Sequence, residues 1–115
     1  MNTSIIDFVK ATTLKGQVDV GDNFFRWELG DVELHFCIDL EETIVEYYSH
    51  FGEKIKCVGH THVDNCDLIN LIQDINNESN MIKITASLLG SSFAVVDKNS
   101  KKEKSTLFVR RLYSI

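Results

Sequence analysis

The run Gly59-His60-Thr61-His62-Val63-Asp64-Asn65-Cys66-Asp67 concentrates the metal-ligand types of this chain. Two imidazoles two residues apart on a strand share a face. A carboxylate from Asp64, at the mouth of a following helix, joins His60 and His62 in a two-histidine, one-carboxylate set. Such a set with an open position suits hydrolytic zinc or non-haem iron. Asp67 is an alternative carboxylate. Glu46 and His50 on the preceding strand are further donors if the register brings them near, and His35 is a more distant one. A plainer reading is also available: Asp64 and Asp67 fit the cap and first turn of a helix.

The Gly-His-Thr-His string at 59–62 is similar to the late motif of calcineurin-like phosphoesterases. The earlier Asp-x-His and Asn-His motifs of that family have no counterpart in this chain. A His-x-His pair also opens the metal site of TIM-barrel amidohydrolases, but 115 residues are too few for that barrel. JAMM-type metalloproteases place a Glu upstream, a part Glu46 resembles, and a Ser-x-x-Asp after the histidines, which is missing beyond His62. None of these families is adopted. The chain has neither a glycine-rich phosphate loop nor a Gly-x-Ser-x-Gly elbow. Cys66, at a helix start near His62, has the setting of a nucleophilic thiolate, which Asp64 and Asp67 oppose.

Charge is the second signal. Seventeen acidic residues stand against 12 Lys and Arg, for a net charge of -5. No Lys or Arg lies between Arg26 and Lys54, whereas Glu28, Asp31, Glu33, Asp39, Glu41, Glu42, Glu46 and Glu53 do. The basic residues gather near the C-terminus, as Lys98, Lys101, Lys102, Lys104, Arg110 and Arg111. Nucleic acid would be repelled by the first half, and a basic protein attracted to it. The expected contact set is Glu28, Asp31, Glu33, Asp39, Glu41, Glu42 and Glu46, with Trp27, Tyr47 or Tyr48 as aromatic anchors. In make-up the chain resembles bacterial immunity proteins, which are small, acidic and cytoplasmic and neutralise a toxin, often a nuclease. The resulting expectation is a binding module and not an enzyme: an immunity or inhibitor protein for a basic toxin or nuclease. The alternative is a small zinc or iron enzyme built on His60, His62 and Asp64. The bland reading of the charge is solubility alone.

These residues need a scaffold. The length fits a single domain spanning 1–115, and 43% hydrophobic residues can fill its core. No apolar run reaches the ~18 residues of a membrane span. The start, MNTSIIDFVK, shows no leader pattern, so a cytoplasmic location with reduced Cys37, Cys57 and Cys66 is expected. Proline is absent, which leaves strand edges free to pair into a homodimer.

Ser4 with Asp7 suggests the cap of a short N-terminal helix, and Gly16 its end. Period-two alternation predicts strands near 24–29, 31–40, 43–51 and 54–63, with a Gly30-Asp31 hairpin. Leu68, Leu71, Ile72 and Ile75 carry the helical period over about 65–77. Strands at 81–89 and 93–97 flank Gly90-Ser91-Ser92, and a last one covers 105–115. The predicted fold is α+β: a mainly antiparallel sheet of about six or seven strands. The central helix packs on one of its faces, beside a short N-terminal helix.

Overall fold

The computed structural model describes residues 2–51 and 53–111. Its elements, in chain order, are α1 (Asn2–Ala11), β1 (Gln17–Val20), β2 (Phe24–Leu29), β3 (Val32–Ile38), β4 (Glu42–Phe51) and β5 (Lys54–Asp64). Then come α2 (Asn65–Asn76), β6 (Asn80–Ala86), β7 (Gly90–Asp97) and β8 (Glu103–Arg111). The eight strands form one antiparallel sheet in the order β1-β2-β3-β4-β5-β8-β7-β6. The α+β class is as expected, with one more strand than predicted. None of the described helices is long and apolar enough to cross a membrane.

Alternation divides the sheet into two faces. Phe25, Trp27, Leu34, Phe36, Val45, Val95 and Val109 point to one face and are buried. Ile5, Ile6 and Val9 of α1 and Leu68, Leu71, Ile72 and Ile75 of α2 share a single apolar cluster with them. Phe25 and Phe36 stack at 4.2 Å. Burying one such aromatic stabilises the fold by roughly 1.5–3 kcal/mol. Trp27 also lies in this core, fully buried, and its indole N–H donates to the Lys15 carbonyl at 2.7 Å. It is therefore a core residue and not the surface anchor expected of it.

Four local expectations are corrected. β1 lies outside the predicted strands, because Gln-Val-Asp-Val is short and only half-buried. Gly16 does not end α1, which stops at Ala11. Gly16 has φ 76°, and a Cβ there would lie 2.2 Å from the Glu28 carbonyl oxygen, so glycine lets the chain enter β1 against β2. Gly90-Ser91-Ser92 is not a turn but the start of β7; a Gly90 Cβ would meet the Val109 carbonyl at 2.2 Å. The connection between β6 and β7 is Ser87–Leu89, with Leu88 and Leu89 exposed. Finally, the pairing of β4 with β5 shifts at Tyr47/Tyr48, so that Tyr47 faces Gly59 and Tyr48 faces Cys57. Val58 is the extra residue, and this bulge returns Cys57 to the face that carries His60 and His62. The part of the last strand predicted at 112–115 lies outside the described residues.

Candidate functional site

The face away from the helices carries the titratable side chains. Cross-strand partners give a row running Asp19, Arg26, His35, Glu46, His60, Arg110. The row is polar yet tightly built. The Glu33 side chain is only 4% exposed, with His35 Nε2 at 2.5 Å from its Oε2 and His50 Nε2 at 3.6 Å from its Oε1. Arg26 Nε lies 3.9 Å from Glu33, and the same guanidinium donates to Asp19, which raises its pKa. The His35 ring stacks on Tyr48 at 3.9 Å.

Tyr48 donates to Glu46 Oε1 at 3.4 Å. Burial first, and then the negative Glu46, push its hydroxyl pKa up to about 12. Burial and the same carboxylate also raise the thiols of Cys37 and Cys57. All three cysteines are free.

This geometry breaks the expected acidic stripe into three parts. Asp31 is exposed in the turn between β2 and β3. Glu28, Glu33 and Glu46 belong to the open face, interleaved with Arg26, His35 and His60. Glu33 is buried and already surrounded by basic groups, so it offers no surface charge. Tyr48 is half-buried within the row rather than displayed as an anchor. Asp39, Glu41 and Glu42 lie at the other end of β3 from Asp31. The predicted set is thus scattered because β3 separates its two turns by the length of a strand.

At that other end the sequence supplies a different cluster. Asp39, Glu41 and Glu42 are exposed, and so are Asp64 and Asp67 at the start of α2. Glu42 sits directly across from Asp64. Leu40 stands at the tip, 76% exposed. The turn is held from beneath by Asn65. The buried Thr43 hydroxyl donates to Asn65 Oδ1 at 2.8 Å, and Asn65 Nδ2 donates to the Asp39 carbonyl at 2.8 Å. The Asn65 backbone N–H donates to the Glu41 carbonyl at 2.9 Å. Asp39 Oδ1 accepts from the Leu40 N–H at 2.8 Å. Among the described residues no Lys or Arg pairs with these five carboxylates; His62 Nδ1 lies 3.0 Å from Glu42. The sequence pattern alone gives Asn65 no such role. Its role as the latch depends on β4 and α2 meeting in space.

The proposed metal ligands do not converge. His60, His62 and Asp64 share the open face of β5, and the two rings are 5.8 Å apart. His62 is engaged with Glu42, and His60 Nδ1 is buried without a partner. Among the described residues, the ligand atoms within 4.8 Å of one another are instead those of Asp64, Cys66 and Asp67, all exposed. Asp64 occupies the N-cap position but makes no side-chain cap bond, contrary to the capping role expected for it. Asp67 lies in the first turn, where the helix N-terminus favours a carboxylate without any ion. No protein-family model, curated protein or solved structure matches this chain.

Proposed function

We propose that this protein is a binding module for a basic protein partner, contacted through the end formed by the β3–β4 turn and the start of α2. An immunity or inhibitor role against a basic toxin or nuclease is the specific form of the proposal. One observation carries it: exposed Leu40 stands among Asp39, Glu41 and Glu42, on a turn already latched by Asn65. Carboxylates without cationic partners keep their field available for a partner and steer it in. A turn held by hydrogen bonds before binding loses little further freedom on binding. An exposed leucine inside a charged ring supplies the apolar contact that charge alone lacks. A nuclease groove lined with Lys and Arg for phosphate matches such a surface in sign.

The test is capture of the partner followed by affinity measurement with two charge-neutralised variants. Asp39→Asn/Glu41→Gln/Glu42→Gln is expected to weaken binding by about thirtyfold or more. Glu28→Gln/Asp31→Asn, at the other end, is expected to stay within about twofold, as a distant rim charge does. Equal losses from both variants, or none from the first, would overturn the assignment.

A further inference from the structure

β5 and β8 are neighbours in the sheet; among the described residues they pair at Gly59↔Arg111 and His60↔Arg110, and none of 61–64 pairs with β8. Had that register continued, Thr61 to Asp64 would face Val109 to Thr106. Instead the strands part. β5 stays paired with β4 as far as Asp64, and β8 stays paired with β7 back to Glu103. The two inner edges therefore diverge from a common apex. The apex is built from glycine: a Cβ on Gly59 would lie 2.0 Å from the Arg110 carbonyl oxygen. At the open end, Ser105 of β8 is drawn toward α2, its hydroxyl donating to Asp74 at 2.5 Å. Between the edges lies a cleft of about 630 Å³, whose walls include Val63 and Asp64 on one side and Ser105 and Leu107 on the other. Its size is within the range of about 300–1,000 Å³ usual for ligand sites.

We infer that this split is a slot for an extended, basic segment of a partner protein, which completes the sheet by pairing with the free edges of β5 and β8. Each edge presents backbone N–H and C=O groups without a ladder partner, and such groups favour a strand that satisfies them. Because β5 and β8 are antiparallel, the inserted segment runs parallel to one and antiparallel to the other. Charge selects the occupant: Asp64, Asp67 and Asp74 line the cleft against Lys104 and His62. Asp64 also lines the smaller hollow beneath the Leu40 turn, so one basic partner can span both. The inference rests on the reading of the acidic end as a contact for a basic partner and adds how that partner is held.

Amide exchange by NMR on the whole chain tests it. The probes are two capped hexapeptides of sequence Lys-Val-Lys-Val-Lys-Val, one carrying N-methyl groups on alternate residues. In the free protein, cleft-facing amides of 61–64 exchange at least about tenfold faster than those facing β4. The unmethylated peptide slows them about tenfold, the methylated one does not, and Asp64→Asn/Asp74→Asn weakens the unmethylated peptide about tenfold. Equal protection by both peptides, or responses confined to 39–42, overturns strand insertion while leaving the acidic contact standing. Cleft-facing amides already as slow as those facing β4, or no binding of either peptide, also overturns the slot. Protection that rises with protein concentration alone overturns it in favour of a second copy.

Discussion

β5 has two neighbours and treats them differently. Toward β4 it pairs at ten positions, from Phe51↔Lys54 to Glu42↔Asp64. Toward β8, among the described residues, it pairs at Gly59 and His60 and at none of 61–64. Both seams are antiparallel and lie in one sheet, so pairing preference does not separate them. The difference lies at the far end. The β4 seam runs on to Phe51↔Lys54 and is latched at its other end by Asn65. The β8 seam has a glycine apex and then α2 wedged against it, with Ser105 tied to Asp74. Beneath the parted stretch the two halves of the sheet share one core, in which Phe93, Val95 and Val109 belong to the same cluster as Phe36 and the helices.

The strongest attack on that contrast is to remove core from each half. Phe36→Ala and Phe93→Ala should each cost about 3–5 kcal/mol, since both rings are fully buried. Denaturant unfolding should remain a single transition in both, because the cluster spans the seam. Two separate transitions would show that the halves are independent. Next in size is Gly59→Ala, which forces a methyl against the Arg110 carbonyl. It should cost about 1–3 kcal/mol and deprotect the amides of the two apex pairs, leaving the β4 seam intact. Loss of protection along both seams would contradict the contrast.

Asn65→Ala should cost about 1–3 kcal/mol, because the buried Thr43 hydroxyl loses its acceptor. Exchange at 39–42 should quicken, and an unchanged turn would mean that the latch does nothing. Tyr48 supplies a pH readout on the β4 seam, where it faces Cys57. Its pKa is raised to about 12, so its contribution is complete below the ordinary tyrosine value near 10. That contribution is lost as pH rises from there through 12. Stability followed from pH 9 to 12 should fall less in Tyr48→Phe than in the parent chain, and equal slopes would refute the assignment. Smallest of all is a ranking of thiols. Exposed Cys66 should be alkylated before Cys37 and Cys57, whose raised pKa values leave little thiolate at neutral pH.

Much of the scaffold was legible because its signals are periodic. The four apolar residues that mark α2 are all buried in it, and buried Leu34, Phe36 and Ile38 carry the period-two alternation of β3. The site was harder to read. A gap in cations along the chain looked like one stripe, but two turns at opposite ends of β3 and one buried carboxylate divide it. Trp27 followed Phe25 inward by the same alternation that defined β2, so its burial was implicit in the pattern. The Val58 bulge and the Asn65 latch leave no local trace, and the parting of β5 from β8 leaves only a glycine at its apex. Each depends on which strands meet, and that is decided by packing. Glycine was the one clue, because Gly59 and Gly90 stand where backbones approach and not where the chain turns.

The measurement that bears most directly on the account is the association rate of the captured partner across ionic strength. Between about 0.05 and 0.5 M salt, screening shortens the Debye length to a few ångström, and the rate should fall about tenfold or more. Asp39→Asn/Glu41→Gln/Glu42→Gln should start slower and respond less. A rate that is flat in salt, or a variant with the same salt response as the parent, would contradict the claim that this end of the molecule receives a basic protein.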